Sequence, residues 1–435
     1  MAKKENRHAE LVSASANIEA PYELPDGWKW TRLGDCSSVI SKGTTPKGGK
    51  DAYLKEGVNF LRIENLNEDG SINLSNISHI SIEEHEGNLK RSILEEGDLL
   101  ISIAGTLGKV GFVTKADLPM NTNQAIAFIR LHKDIFDNMY LKYAIESPFV
   151  NAELLAKTKV TSIPNLTLEI ISNCLIPLPP SLAEQQRIVN RIETMFAKLD
   201  QAQEKAQAVL DSFETRKAAI LHKAFTGQLR IDNEELTIDD WEDTTIGECC
   251  RLGSGGTPLK SHPEYYENGD IPWLKTGEID WNDIYDVEER ITNEGVENSS
   301  AKIFPAESVV VAMYGMGVTR GKAAIIKIPT ATNQAVCVLQ PNEKLNNRFL
   351  FYYFMCNYWQ IREQSVGGNQ LNLSGKIIAS FPIKLPPLNY QLSIVNFLDT
   401  VLEKESRAKE AAQTVLDQIA LLKKSILARA FRGEL

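Results

Sequence analysis

Two segments of this chain, 206 residues apart, have similar sequences and are identical at seven of 14 positions. Residues 216–229 read RKAAILHKAFTGQL, and residues 422–435, at the end of the chain, read LKKSILARAFRGEL. Related segments at such a distance indicate a chain built from two similar halves. At 435 residues the chain is also too long for one ordinary core, and we expect roughly two to four domains. A protein of two similar halves usually acts on two similar targets, or on two ends of one target.

The repeat continues upstream, through the globular part of each half. Trp28 and Trp241 each precede a glycine by six residues, and here the shift is 213. The tetrapeptide Thr-Asn-Gln-Ala occurs at 122–125 and again at 332–335. The number of residues between equivalent positions changes along the repeat, so the halves differ by small loop insertions. Short β-branched runs broken by Gly and Pro, with helical stretches such as 139–146, predict mixed α/β or α+β domains of about 150 residues.

A long helix is predicted at the end of each half. The segments 182–225 and 388–431 contain neither Pro nor Gly and are rich in Ala, Glu, Lys, Gln and Leu. Both carry apolar residues at alternating spacings of three and four, which is typical of a coiled-coil seam. The repeated seam favours pairing of the two helices within the chain. Arg216 and Glu405 are polar exceptions, and the repeat shift predicts that they lie at different levels.

Composition excludes several classes of protein. Residues 1–20 are charged and resemble no signal peptide, and no run approaches the roughly 20 apolar residues of a membrane span. The six cysteines form no CxxC pair, so a zinc site is not expected. We therefore expect a cytoplasmic protein. The net charge of −10 argues against a general polyanion binder, but DNA binding requires only a local basic face.

Enzyme motifs are missing from the sequence. Every Pro-Pro pair is followed by Ser or Leu, so the Asn/Asp-Pro-Pro-Tyr/Phe motif of amino-methyl transfer does not occur. The glycine clusters at 105–109 and 315–322 lack the spacing of a phosphate-binding loop and the Ser/Thr that would follow its Lys. We interpret these glycines as tight turns. No catalytic, cofactor-binding or metal-binding residue is predicted in this chain.

The layout of domain, long helix, domain, long helix resembles the DNA-specificity subunit of type I restriction-modification systems. The strongest local similarity is the segment 178–189, LPPSLAEQQRIV, which resembles the family signature at the head of a helical region. The second copy, at 385–395, keeps the two prolines, Gln391 and Ile394-Val395 but lacks the Glu-Gln-Gln core. Phe-x-Gly-x-Leu closes both helices. The resemblance covers the chain from about Pro21 onward.

The resemblance implies an α+β fold with two mixed α/β target recognition domains, each followed by a long helix. The two helices would pair as an antiparallel coiled coil with pseudo-two-fold symmetry. The corresponding boundaries are a flexible tail at 1–20, recognition domain 1 at 21–181, a central helix at 182–231, recognition domain 2 at 232–387 and a C-terminal helix at 388–435.

The resemblance also implies a subunit without catalysis of its own. Each recognition domain would read one half of a bipartite, asymmetric site in double-stranded DNA. The helices would set the spacing and dock two methyltransferase subunits, which recruit motor-nuclease subunits. S-adenosylmethionine, ATP and Mg²⁺ would then be bound by the partner subunits and not by this chain. Two alternatives stay open: a related system with methylase and nuclease on one polypeptide, and a coiled-coil scaffold that binds no DNA.

Candidate DNA-binding residues follow from the chemistry of phosphates and bases. The loops that open each half, the glycine clusters and the polar loops before the helices supply candidates for phosphate or loop contacts: Lys42, Thr45, Lys47, Lys109, Lys159, Thr257, Lys260, Arg320, Lys322, Asn369 and Gln370. Arg62 and Asn65 align with Lys275 and Glu278, and these four are candidate base readers, because equivalent positions should differ if the two domains read different sequences. The identical Asn123-Gln124 and Asn333-Gln334 favour a shared structural role.

Overall fold

The computed structural model describes residues 21–132, 135–156, 165–229, 238–315, 317–367 and 371–435. The tail predicted at 1–20 lies outside them. Contacts divide the chain into two compact units, the first made of residues 1–206 and 414–435 and the second of residues 207–413. The end of the chain therefore belongs to the unit that contains its beginning. No helix among the described residues is long and apolar enough to cross a membrane.

The first unit contains nine described strands in three small sheets. A four-stranded sheet has the order β2-β8-β5-β6, a three-stranded sheet the order β4-β3-β7, and β1 pairs with β9. The central strand β5 is buried along its whole length, as its run Leu-Leu-Ile-Ser predicts. The strands are β1 (Lys29–Arg32), β2 (Ser37–Lys42), β3 (Val58–Leu61), β4 (Ser78–Ile80), β5 (Leu99–Ser102), β6 (Val110–Phe112), β7 (Met120–Thr122), β8 (Ile126–Leu131) and β9 (Leu175–Leu178).

The second unit repeats this arrangement with two further edge strands. Its sheets have the orders β11-β19-β16-β17-β13 and β14-β12-β18-β15, and β10 pairs with β20. The additional strands are β13 and β15, at the edges of the two larger sheets. The strands are β10 (Glu242–Thr245), β11 (Cys250–Ser254), β12 (Ile271–Leu274), β13 (Asp283–Ile284), β14 (Arg290–Ile291), β15 (Ile303–Phe304), β16 (Val309–Ala312), β17 (Ala323–Ile326), β18 (Thr330–Thr332), β19 (Val336–Pro341) and β20 (Pro382–Leu385).

Two very long helices follow the globular parts, and the predicted α+β fold class is confirmed. The helix predicted at 182–225 is present with those bounds, and the second ends one residue before the predicted 431. Gly227 and Gly433 follow them at positive φ (67° and 75°), as expected of helix stops. The helices are α1 (Ile82–Glu86), α2 (Asn138–Glu146), α3 (Pro148–Ala156), α4 (Leu168–Ser172), α5 (Leu182–Phe225), α6 (Ile246–Cys249), α7 (Asn293–Glu297), α8 (Asn347–Cys356), α9 (Tyr358–Glu363), α10 (Gly375–Ser380) and α11 (Leu388–Ala430).

Within each unit the long helices run antiparallel. In the first unit Arg187 donates to the Leu435 carbonyl and Lys423 pairs with Asp200 at 2.6 Å. In the second unit Arg216 pairs with Glu405 at 2.8 Å. The expectation that these two residues lie at different levels is therefore wrong. In an antiparallel pair, the number of one facing position rises as the other falls, so that their sum stays nearly constant. The repeat shift is a constant difference and therefore does not give the level.

The end of a long helix completes the core of each unit. Phe431, directly after α11, is 1% exposed, and its ring lies 5.2 Å from that of Tyr140 in α2. In the second unit Phe225, the last residue of α5, lies 5.0 Å from the ring of Phe349 in α8. Each domain core therefore includes the end of the helix that does not directly follow that domain.

We predict that Phe431→Ala destabilises the first unit by about 3–5 kcal/mol, because it removes a buried aromatic ring from a packed core. Leu421→Ala, ten residues earlier in α11, is the control, since Leu421 is 66% exposed and its loss should change stability by less than about 0.5 kcal/mol. Hydrogen exchange of α2 amides with increasing urea measures both effects. Equal protection of α2 in the two variants would contradict this role of Phe431.

Candidate nucleic-acid interface

The loop after β2 is attached to the turn between β7 and β8. The Gly43 amide donates to the carbonyl of Ile126 at 3.1 Å, and the Thr44 amide donates to that of Thr122 at 3.0 Å. A Cβ on Gly43 would lie 2.1 Å from the Thr122 carbonyl oxygen, so a side chain here would displace the loop. The Thr45 hydroxyl then donates to the side-chain oxygen of Gln124 at 2.5 Å.

The second unit attaches its glycine-rich loop to the equivalent segment, through the same Thr–Gln bond but a different glycine bond. The Gly255 amide donates to the Thr332 hydroxyl at 3.1 Å, and the Thr257 hydroxyl donates to the side-chain oxygen of Gln334 at 2.6 Å. In both copies of Thr-Asn-Gln-Ala, the Asn side chain accepts from the amide two residues later, at 3.1 Å. These contacts favour the structural role expected of the identical tetrapeptide.

The turn after β3 lies beside the same tetrapeptide, as does the turn after β12. Asn123 donates its amide to the Leu61 carbonyl at 3.2 Å, and Asn333 donates to that of Leu274 at 3.1 Å. The glycine clusters are attached here too, because Ile103 and Met313 donate to the alanine carbonyls of the two tetrapeptides. In each unit four loops therefore meet at one end of the sheets. We call this surface the loop end: 43–49, 62–66, 103–109 and 122–125 in the first unit, and 255–260, 275–279, 313–315, 317–322 and 332–335 in the second.

Two of the candidate base readers close turns with their side chains. Asn65 is 2% exposed, and its side-chain oxygen accepts from the Arg62 amide at 3.0 Å while its nitrogen donates to the Asn73 carbonyl at 3.3 Å. The Glu278 carboxylate accepts from the amides of Lys275 at 3.3 Å and Glu288 at 3.0 Å. This placement favours a structural role for Asn65 and Glu278 over base reading.

The other two base-reader candidates, Arg62 and Lys275, are half-exposed cations held over aromatic rings. The Arg62 guanidinium lies 5.7 Å from the Tyr53 ring centre and 2.7 Å from the Glu64 carboxylate. Lys275 lies 5.4 Å from the Trp273 ring centre and pairs with Glu289. The ring and the acid fix the direction of each cation while part of it stays accessible. Arg62 and Lys275 are thus the better placed of the four.

The lysines that follow the glycine clusters occupy equivalent places. The Lys109 ammonium donates to the Leu66 carbonyl at 3.3 Å, and Lys322 pairs with Asp280, which follows the equivalent turn. Gly105, Gly108 and Gly321 have φ of 70°, 78° and 88°, which agrees with the predicted tight turns. Both lysines therefore lie at the loop end, directly beside the turn that carries Arg62 or Lys275.

Sequence reasoning missed two arginines of this surface. Arg362, in α9, donates to the carbonyls of Arg320 and Gly317, and its guanidinium lies 5.1 Å from the Tyr358 ring and 5.6 Å from the Trp359 ring. Burial, followed by the charge of Arg362, lowers the pKa of Arg320. The aromatic pair three and four residues before Arg362 was the available signal. Arg91 donates to the Thr44 hydroxyl at 2.8 Å, which no local pattern indicates.

The remaining candidates are exposed or lie outside the described residues. Lys42, Lys47 and Lys260 are exposed, at the end of β2 and in the two glycine-rich loops. Lys159, Asn369 and Gln370 fall outside the described residues. The neighbouring Leu166 and Leu373 are attached to the loop end, because their amides donate to the carbonyls of Ile103 and Met313 at 3.0 Å.

The two units differ in the side chains of the two-stranded sheet that leads into each long helix. In the first unit Trp30 stands opposite Pro177, and the rings of Trp30, Tyr22 and Phe149 contact one another at 4.8–5.8 Å. The equivalent strand pair in the second unit carries Asp243 and Lys384, which form an ion pair at 2.8 Å. Here a cavity of about 830 Å³ opens, lined by α5, α9 and β20. A polar strand pair in the second unit therefore replaces an aromatic one.

Comparison with known proteins agrees with this architecture. The family model described as the type I restriction modification DNA specificity domain matches residues 25–210 and again 238–415. The EcoBI specificity subunit of Escherichia coli is 29% identical over 225 residues, which span 49% of this chain but only 45% of that relative. The MjaVIII specificity subunit of Methanocaldococcus jannaschii is 24% identical over 430 residues, 95% of this chain and 94% of that protein.

Solved structures share the fold. The HsdS subunit of Thermoanaerobacter tengcongensis superposes with a TM-score of 0.65 at 22% identity, over 96% of this chain and all of that one. A chain from a structure of complex assembly in the type I R-M system superposes with a TM-score of 0.74 at 21% identity, over 95% of this chain and all of that one. With two matches to the family model covering most of its length, the chain belongs to the family of DNA-specificity subunits of type I restriction-modification systems.

Proposed function

We propose that this chain recognises a bipartite, asymmetric DNA site, with the loop end of each domain reading one half. The observation that carries the proposal is the repeated loop end. In both units a Thr–Gln side-chain bond and the bonds of the Thr-Asn-Gln-Ala segment assemble it, whereas the cations and aromatic side chains displayed on it differ. A common scaffold with different displayed residues is what two readers of different sequences require.

We assign separate tasks to the cations of the loop end. Lys109, Lys322 and the exposed lysines contact phosphates, which position the protein without reading sequence. Arg62 and Lys275 are the candidate base readers. An aromatic ring and a carboxylate orient each cationic group, and a hydrogen-bond acceptor on DNA can replace the carboxylate as its partner. The overall charge of −10 does not oppose this proposal, since a local cluster of cations determines phosphate binding.

The long helices serve as the spacer and as the docking surface for two methyltransferase subunits. Exposed apolar side chains on α11 support docking, since Leu421 is 66% and Leu422 49% exposed. Motor-nuclease subunits join through the methyltransferases. S-adenosylmethionine, ATP and Mg²⁺ act on the partner subunits, and this chain has no catalytic role of its own.

We predict that Lys109→Ala weakens DNA binding equally for all sequences and lowers the slope of log affinity against log salt by about 1. Lys115→Ala is the matched control, because Lys109 and Lys115 lie beyond opposite ends of β6 and Lys115 is exposed. The measurement is a salt titration of DNA binding by the complex with methyltransferase subunits. If the two variants behave alike, the phosphate role of Lys109 is wrong. If no sequence preference appears in the unmodified complex, a scaffold that does not recognise DNA becomes the better description.

Replacing residues 27–181 with the recognition domain of another member of the family should change one half of the methylated motif and leave the other half intact. Each loop end is built within its own unit, so the halves are read separately. Methylome sequencing of cells that express the complex gives the motif before and after the exchange. A change in both halves, or a continuous motif in the unmodified protein, would refute modular reading. The gene for the partner distinguishes separate methylase and nuclease subunits from a fused one.

A further inference from the structure

One glutamine in each half lies at the same place, where a long helix meets its recognition domain. Gln185 is the fourth residue of α5 and Gln391 the fourth residue of α11. They are 1% and 0% exposed. A buried amide must form hydrogen bonds, because an unsatisfied polar group in the interior is costly.

The two glutamines make the same hydrogen bonds to the loop that precedes a domain helix. Gln185 accepts from the Asp137 amide at 2.8 Å and donates to the Ile135 carbonyl at 3.0 Å. Gln391 accepts from the Asn346 amide at 2.9 Å and donates to the Lys344 carbonyl at 2.8 Å. Each therefore binds a carbonyl and the amide two residues further on.

The residue that each glutamine holds also begins a helix of the recognition domain. The Asp137 side chain caps α2 by accepting from the Tyr140 amide at 2.9 Å, and that of Asn346 caps α8 by accepting from the Phe349 amide at 3.0 Å. Gln391 makes a further bond to the Pro386 carbonyl at 2.9 Å, in the link between β20 and α11. Through its glutamine, the first turn of each long helix is joined to the start of a domain helix.

Most other connections at this joint are less directional, although in the second unit the Tyr352 hydroxyl of α8 also donates to the Asp399 carboxylate of α11 at 2.5 Å. The chain passes from β9 or β20 through two prolines into the helix, and buried apolar residues such as Ile188 and Ile394 pack beside it. Apolar packing is non-directional, whereas a hydrogen bond weakens steeply away from its preferred angle. The glutamine is thus the directional contact that both joints share, and it restricts the angle between domain and helix.

We infer that Gln185 and Gln391 are positioning residues that fix this angle and thereby restrict the DNA spacer lengths that the protein accepts. The inference rests on the proposed function. Each added base pair shifts the second half-site by about 3.4 Å and rotates it by about 34°. If both joints are stiff, a half-site displaced in this way does not fit its recognition domain. If both joints are loosened, each can change its angle slightly and the displaced half-site still binds.

Base reading is separate from this joint. The first of the six residues of β8 directly follows the loop-end segment 122–125, and the last leads to the loop that Gln185 holds. In the second unit, β19 also has six residues, and it leads from the loop end to the loop that Gln391 holds. A strand of this length spans about 20 Å. Loosening the joint should therefore change the preference for spacer length and leave the preference for bases within each half unchanged.

The test uses the complex with methyltransferase subunits and the motif found by methylome sequencing. Duplexes carry that motif with its natural spacer or with one base pair more or fewer, and a second set carries single base changes in each half. The variants are Gln185→Ala and Gln391→Ala, with Gln185→Met and Gln391→Met as versions that keep the side-chain volume. Gln186→Ala is the matched control, since Gln186 is the next residue of α5, is exposed, and donates its side-chain amide to Asn190 on the same helix.

We expect the Gln185 and Gln391 variants to reduce the affinity ratio between natural and altered spacers by about tenfold, which corresponds to about 1.4 kcal/mol. Base discrimination and the control should match the unmodified protein. An unchanged spacer ratio in folded variants overturns the inference, and so does an equal loss of spacer and base discrimination. If the unmodified complex prefers no spacer length, the proposed function itself fails, which separates the two outcomes.

Discussion

The fold depends on burial of the end of each long helix in a domain core. Phe431 packs on Tyr140, and Phe225 packs on Phe349, with ring centres 5.2 and 5.0 Å apart. Removal of such rings from water is the main favourable contribution to a core of this size. Because Phe431 lies almost 300 residues after Tyr140, the first unit cannot complete its core until the chain end is present. An exchanged recognition domain must therefore supply a side chain that accepts Phe431 in place of Tyr140.

The loop end shows how two readers share one scaffold. Backbone hydrogen bonds and the tetrapeptide Thr-Asn-Gln-Ala assemble the loops in both units, so these positions must stay the same. The displayed cations are free to differ, as Arg62 over Tyr53 and Lys275 over Trp273 do. The second unit also places Arg362 against two aromatic rings, which has no counterpart in the sequence patterns of the first half. Divergence is thus concentrated in side chains that the scaffold does not require.

Much of the fold could be predicted, because the internal repeat and the long segments without Pro or Gly directly indicate two similar halves and two long helices. The bounds of α5 were predicted correctly, since a segment of 44 residues without Pro or Gly and with a coiled-coil seam has few alternatives. The facing pair Arg216–Glu405 was not predicted, because the level of two antiparallel helices depends on where the chain turns back between them. The glutamine joints were also missed, although Gln391 was recognised as retained. Its role depends on a loop 45 residues away in sequence.

The sequence by itself determined the two-fold repetition, the two long helices and the family, since each is a pattern of residue types along the chain. Only the tertiary structure decided which polar residues are displayed and which hold the scaffold together. Asn65 and Arg62 are three residues apart and looked equally suited to read bases, yet Asn65 is buried and closes a turn while Arg62 stays accessible. The physical reason is that a side chain's availability depends on which neighbours satisfy its hydrogen bonds, and those neighbours are brought together by folding and not by sequence order.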